Sequence, residues 1–261
     1  MKTDLSGKTA VITGSTAGVG YVIARSLARA GANVVLNGRK ADAVERAVAR
    51  LSSEAPDVTI AGLAVDVGTA HGCDALVAAV PLADILINNV GIYGTGDFLD
   101  FPDAEWTRYF ETNVMSGVRL ARGYLPGMLE RYWGRVLFMS SQWSIDAPAD
   151  MIHYGFTKAS ILSISRCLAK YTAASGVTVN AILPGPIMLD DARQAESNSV
   201  CLTMEETPIA FQSEHRPQSV IQHATTAREV ASLVVRLCSP QAAATTGATL
   251  RVDEDALDTL V

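Results

Sequence analysis

Tyr154 and Lys158 stand four residues apart in a stretch, 153–175, whose pattern reads as a helix. Residues at that spacing share one helix face, one turn from each other. A phenol is a poor proton donor near neutrality because its ordinary pKa is about 10. A neighbouring ammonium favours the phenolate and lowers that value, so the pair can form a tuned acid–base group. The same spacing also occurs on ordinary surface helices. What the rest of the chain brings to this helix decides between the two readings.

The elements that would position the pair alternate regularly. Residues 9–13 form an apolar run expected to be a buried strand. Gly14, Ser15, Thr16, Ala17, Gly18, Val19 and Gly20 follow as a glycine-rich turn, and an amphipathic helix runs on to about residue 30. Strand, glycine-rich turn and helix is the layout that binds a pyrophosphate. The glycines let the backbone approach, and the helix N-terminus offers N–H groups and partial positive charge. The second strand, 33–37, ends without the acid that holds the adenosine ribose in NAD-specific folds, because the sequence there reads Asn37, Gly38, Arg39, Lys40. A carboxylate would repel a 2′-phosphate, whereas Arg39 can pair with one. NADP(H) is therefore favoured over NAD(H), the alternative being an Arg39 that only opens a surface loop.

Further strands are expected over 58–65, 84–87, 135–139, 177–183 and 249–252, and helices over 41–54, 73–80 and 227–238. Asp66 and Val67 close the third strand, where Asp66 either caps the next helix or holds an adenine amino group. The fourth strand runs into Asn88, Asn89, Val90 and Gly91. Residues 106–132 read as one long helix, with Asn113 marking a local kink and Pro126 and Gly127 a bend near its far end. Ser140 and Ser141 end the fifth strand, either as ligand groups or as helix caps. Pro184, Gly185, Pro186 and Ile187 follow the sixth, and over 186–226 the periodicity is lost, as in a substrate lid. Seven strands alternating with helices predict an α/β fold, a doubly wound, Rossmann-type parallel sheet in three layers, as a single domain over 1–261. The candidate residues gather at the C-terminal ends of strands, where such sheets bind ligands.

Composition narrows the partners. With 27 acidic against 21 basic residues the net charge is −6, which gives no support to nucleic-acid binding. Cys73, Cys167, Cys201 and Cys238 show no C-x-x-C spacing and read as reduced thiols, and no metal site is expected. No apolar run reaches the roughly 20 residues of a membrane span, and the polar N-terminal residues carry no signal pattern. A cytoplasmic protein with no membrane partner is expected.

Taken together, the chain resembles a short-chain dehydrogenase/reductase of the Tyr-dependent branch, over nearly its whole length. The family's T-G-x-x-x-G-x-G is present as Thr13 to Gly20, its N-N-A-G as Asn88 to Gly91 with Val90 in place of alanine, and its Y-x-x-x-K as Tyr154 to Lys158. Its serine, thirteen residues before the tyrosine, selects Ser141. Asn113 matches the helix asparagine of its tetrad, and Pro184-Gly185 the P-G after the sixth strand. The V-D-G-G often found near the family's C-terminus is here Val252, Asp253, Glu254, Asp255. The resemblance implies hydride transfer between a nicotinamide and a ketone or secondary alcohol, most like the 3-oxoacyl-carrier-protein reductases. Tyr154 would donate the proton, Ser141 would fix the carbonyl oxygen, Lys158 would hold the nicotinamide ribose, and Asn113 would hold a water linking Lys158 to solvent. Trp143 is expected at the substrate, with Tyr93, Met151, His153, Met188 and Phe211 as further candidates, although His153 suits packing better. The resemblance also implies a homo-oligomer, tetramer or dimer, joined through 106–132 and 153–175, with Gly117, Gly123, Ala159 and Ser163 permitting close approach. A non-catalytic cofactor sensor or scaffold on the same fold is the alternative; loss of Ser141, Tyr154 or Lys158 would favour it, and all three are present.

Overall fold

The computed structural model describes residues 3–188, 219–221 and 225–253. Within them the apolar runs become β1 (Thr9–Ile12), β2 (Asn33–Gly38), β3 (Ile60–Ala64), β4 (Ile85–Asn88), β5 (Gly134–Met139), β6 (Val177–Pro184) and, after two short strands described below, β9 (Thr249–Val252). All pair in parallel, in the order β3-β2-β1-β4-β5-β6-β9. The order reverses between β1 and β4, which opens a crevice at their C-terminal ends.

Period-two alternation sorts the strand side chains onto two faces. Ala10 and Ile12, Val34 and Leu36, Ile85 and Ile87, Leu137 and Met139 point to one core, while Val11, Val35, Leu86, Val136 and Phe138 point to the other. Helices α1 (Gly18–Arg29) and α2 (Ala41–Glu54) cover the first face. Helices α3 (Ala70–Ala79), α5 (Ser116–Glu130) and α6 (Ile152–Tyr171) cover the second. Because both faces are buried, the central strands are apolar throughout rather than half polar. Helix α7 (Ala227–Cys238) packs beside α1 and starts with a capping box, in which Thr226 accepts from the Glu229 N–H and the Glu229 carboxylate accepts from the Thr226 N–H.

The expected long helix is in fact three pieces. Helix α4 (Asp103–Phe110) passes through a π turn, Glu111–Met115, into α5. The kink expected at Asn113 is this π turn, a device that recurs at functional sites. Pro126 lies inside α5, which continues past it to Glu130. Two short strands carry no sequence signal: β7 (Ile187–Met188) pairs in parallel with β8 (Thr225–Thr226). They clasp the two ends of the stretch read as a lid, most of which, with Phe211, lies outside the described residues. A Cβ on Gly117 would meet Phe138, and one on Gly123 would meet Val77, so both permit close packing within the chain, and Gly123 is also exposed. Ala159 and Ser163 are exposed on α6.

Candidate active site

At the C-terminal ends of the strands a cavity of about 500 Å³ runs from Thr16 and Arg39 at one end to Ser141, Trp143 and Tyr154 at the other. Gly14, Gly18, Val19, Gly20, Asp66, Val67, Asn89, Val90, Gly91, Lys158, Pro184, Gly185 and Ile187 line it between these ends, as the sequence led one to expect. Gly14 sits at φ +60°, and a Cβ there would press on Val90. Only glycine lets the backbone pass so close. No side chain caps the N-terminus of α1 and no acid stands in its first turn, so its N–H groups face the cavity without a competing anion.

The turn is held from below. Thr13 Oγ1 accepts from the N–H groups of Asn89 and Val90 at 2.9 and 3.0 Å. The Asn89 amide donates to the carbonyls of Thr13 and Gly14 at 2.9 and 3.0 Å. Asn89 thus binds the end of β4 to the glycine turn. Ser15 corrects the sequence reading. It is fully buried, its hydroxyl donates to Ile12 O at 2.7 Å and accepts from the Asn37 N–H, and its own N–H donates to Asn37 O. With each of these groups committed to β1 and β2, Ser15 shapes the turn and does not line the cavity.

At the end of β2, where no acid stands, the Asn37 amide donates to the carbonyls of Leu63 and Val65 and so joins β2 to the residues of β3 and its end, while Asn37 and Gly38 also line the cavity. Arg39, exposed at the mouth beside Thr16, is the cation at that end. Asp66 does not cap α3: Thr69 does, accepting from the Gly72 N–H at 3.0 Å. Asp66 Oδ1 accepts from the Gly68 N–H, and the side chain remains at the cavity wall.

At the other end, β5 delivers Ser141 and α6 delivers Tyr154 and Lys158. The Ser141 hydroxyl accepts from the Trp143 N–H at 3.3 Å and hydrogen-bonds the Tyr154 hydroxyl. Lys158 Nζ donates to Met139 O at 2.8 Å and lies 5.6 Å from the centre of the Tyr154 ring. Tyr154 is 8 % exposed and Lys158 4 %. Burial therefore dominates both acidities. It pushes the phenol above its usual value, with the Ser141 hydrogen bond pulling it part of the way back, and it lowers the ammonium to about 8. The expectation that Lys158 governs the phenol is amended: desolvation is the larger influence and Ser141 the main counterweight. A Cβ on Gly91 would fall 3.3 Å from Lys158 Nζ, which is why the loop at that point carries no side chain.

Asn113 does not line the cavity. Its Oδ1 accepts from the Ile92 N–H at 2.7 Å, and its two amide hydrogens go to Ile92 O at 2.9 Å and Thr157 Oγ1 at 3.0 Å. Its side chain therefore fastens the loop after β4 to α6. Tyr93 and Trp143 stand edge-on to the Tyr154 ring, at 6.2 and 6.0 Å between centroids. His153 and Met151 are buried and do not reach the cavity, and nothing is described of the Met188 side chain. Arg108, Thr112, Ile92 and Gln142 line the cavity without having been expected there, because single residues on a helix face or in a loop form no motif. Met139 contributes only a carbonyl, which any residue would supply and no sequence pattern reveals.

A family model described as enoyl-(acyl carrier protein) reductase matches residues 14–254. The uncharacterized oxidoreductase YvaG of Bacillus subtilis is 43 % identical over 257 residues, covering 97 % of each chain. The chain belongs to the short-chain dehydrogenase/reductase family. This oxidoreductase, acting on CH–OH donors, is also 30 % identical to the 3-oxoacyl-(acyl-carrier-protein) reductase FabG of Vibrio cholerae, over 96 % of this chain and 97 % of that one. The solved structure of L-sorbose reductase from Gluconobacter frateurii, complexed with NADPH and L-sorbose, superposes with a TM-score of 0.88 at 32 % identity, over 100 % of both chains. In the dehydrogenase/reductase described here, no helix among the described residues is long and apolar enough to cross a membrane, and no cluster of metal-ligating side chains is present among them.

Proposed function

We propose that this short-chain dehydrogenase/reductase uses NADPH to reduce a neutral ketone, of the 3-oxoacyl or ketose type, to its secondary alcohol. One observation carries the reading: Ser141, Tyr154 and Lys158 meet at one end of a cavity whose other end is an uncapped glycine turn beside Arg39. The residues present suit the cofactor. The glycine turn and α1 would hold the pyrophosphate, Arg39 and Thr16 the 2′-phosphate, Asp66 and Val67 the adenine, and Lys158 the nicotinamide ribose. When bound, that cofactor supplies the hydride.

The chain's own groups do the rest. Ser141 donates to the carbonyl oxygen and fixes its position as negative charge develops there. Tyr154 gives that oxygen its proton, and Lys158, protonated below about pH 8, favours the phenolate left behind. Burial keeps the phenol protonated through the neutral range but holds that proton tightly, and the Ser141 hydrogen bond works against this cost. Tyr93, Gln142 and Trp143 around Ser141 and Tyr154 are uncharged, and Arg108, which also lines the cavity, is paired with Glu105, which supports a substrate neutral at its reacting end. The reading includes a homo-oligomer through α4, α5 and α6, supported by the exposed apolar side chains of Ile152 and Phe156 on α6.

The test is purified protein with NADPH and a panel holding a 3-oxoacyl thioester, a ketohexose, simple ketones and an enoyl thioester. Loss of reduced-nicotinamide absorbance with a ketone supports the reading. Turnover of the enoyl thioester alone would redirect it to C=C reduction, and binding without turnover would favour the sensor alternative.

A further inference from the structure

His153 precedes Tyr154 in sequence and is completely buried. Its Nε2 lies 3.1 Å from the carbonyl oxygen of Gly94, the residue after Tyr93. A carbonyl only accepts, so Nε2 carries the hydrogen and the neutral ring leaves Nδ1 bare. Nδ1 is buried with no hydrogen-bond partner. Two neighbouring pairs are therefore joined: Gly94 to His153 by a hydrogen bond, and Tyr93 to Tyr154 by an edge-to-face ring contact. A second strap, from the Gly96 N–H to Asp150 O at 2.8 Å, runs alongside.

The ring has no freedom of its own. Phe101 stacks on it at 3.8 Å between centroids and an angle of 19°, and Tyr109 meets it edge-on at 4.5 Å. An apolar side chain would fill such an aromatic box without leaving a bare nitrogen inside, and burial already disfavours the charged imidazole. What histidine adds over leucine or phenylalanine is the one hydrogen bond to Gly94.

We infer that His153 is a positioning residue that sets the width of the substrate slot: through the Gly94 carbonyl it holds the Tyr93 ring against Tyr154 and so governs which ketones reach the phenol. The inference rests on the reading of Tyr154 as proton donor. It assigns no chemistry to His153 itself, which does not reach the cavity.

Steady-state kinetics with a slender and a bulky ketone, together with NADPH titration, test it. His153→Leu is expected to raise the KM for the slender ketone about tenfold, the effect of one lost hydrogen bond on a positioned wall. It should narrow the preference between the two ketones and leave NADPH affinity unchanged. His153→Gln, which keeps an N–H donor, should restore most of the preference. In a Tyr93→Ala background His153→Leu should change nothing further, because its effect travels through that ring. Should His153→Leu not accumulate in folded form, His153→Asn, with an amide too short for Gly94, takes its place. Unaltered KM and preference in the leucine variant would overturn the inference. So would a glutamine variant no better than leucine, or a parallel loss of NADPH affinity that marks general loosening. A wild-type protein inert toward every ketone overturns the reading of Tyr154 and this inference with it; an active one with an indifferent His153 overturns the inference alone.

Discussion

Lys158 points its ammonium at the main-chain oxygen of Met139, 2.8 Å away at the end of β5, and is itself 4 % exposed. This geometry has a thermodynamic consequence. The group's pKa falls from 10.5 to about 8, with burial as the cause. Between those two values the unfolded chain holds a proton that the folded chain has released, so stability rises with pH across that window. Below about pH 8 both states are protonated and folding carries the full cost of burying the charge, on the order of 3 kcal/mol. Without cofactor, the stability of the native chain relative to Lys158→Met should therefore improve by about that amount between pH 7.5 and pH 10.5. Denaturant unfolding of the two chains at several pH values measures it, and a difference that stays flat would mean Lys158 is not desolvated.

In the proposed reaction Tyr154 and Ser141 act on one oxygen, and their variants should separate chemistry from binding. Tyr154→Phe removes the proton donor but keeps the ring against Tyr93 and Trp143. Its kcat should fall about a hundred- to ten-thousandfold, the range for a positioned general acid. Ser141→Ala should cost about a hundred- to a thousandfold, as for one oxyanion donor. NADPH affinity should stay within about twofold in both, since neither hydroxyl lies at the glycine turn or Arg39. Isothermal titration beside steady-state kinetics distinguishes the cases. Equal losses of kcat and affinity would place these residues in the scaffold.

Much of this arrangement was legible before any coordinates. The seven strands follow from apolar runs of strand length, and the cavity follows from the place of each run's end, because parallel order puts Gly14, Arg39, Asp66, Asn89, Ser141 and Pro184 along one edge. What sequence does not carry is which way a polar group turns. Ser15 and Thr16 are adjacent hydroxyls in the same turn, yet one is committed to Ile12 and Asn37 while the other lines the cavity. Asn113 was expected at a kink, but its partners at Ile92 and Thr157 lie 21 and 44 residues away and depend on how α6 docks. The β7–β8 clasp is only two residues long on each side, too short for a period-two pattern to register.

Asn113 should matter more for stability than for chemistry. Asn113→Ala removes three hydrogen bonds at a buried position and leaves the Ile92 N–H and carbonyl without their Asn113 partner, while the Thr157 hydroxyl keeps the Tyr154 carbonyl. An unsatisfied buried polar group costs about 1–3 kcal/mol. The variant is expected to lose about 3 kcal/mol in all, which for a chain of this size lowers Tm by roughly 6–12 °C. Activity measured well below that Tm should fall by less than in Tyr154→Phe. A variant that melts with the native chain but has lost turnover would instead place Asn113 among the groups that relay the proton.

Under the proposed use of NADPH, Arg39 is expected to decide between the two nicotinamide cofactors. The end of β2 reads Asn37, Gly38, Arg39, Lys40 and carries no carboxylate, and the Asn37 amide is engaged by the carbonyls of Leu63 and Val65. No acid there repels a phosphate, so discrimination is expected to fall to the exposed guanidinium of Arg39. A charge-assisted hydrogen bond of this kind contributes about 1.5–3 kcal/mol, so Arg39→Ala should weaken NADPH binding by roughly ten- to a hundredfold. NADH, which lacks the phosphate, should bind the variant and the native chain alike. Because the contact is exposed, native NADPH affinity should also weaken as salt rises, and the variant should show a shallower dependence. Fluorescence titration with both cofactors at low and high ionic strength reads all three effects. Equal losses for NADH and NADPH would assign Arg39 to the shape of the loop, and a native chain that prefers NADH would remove the phosphate argument altogether.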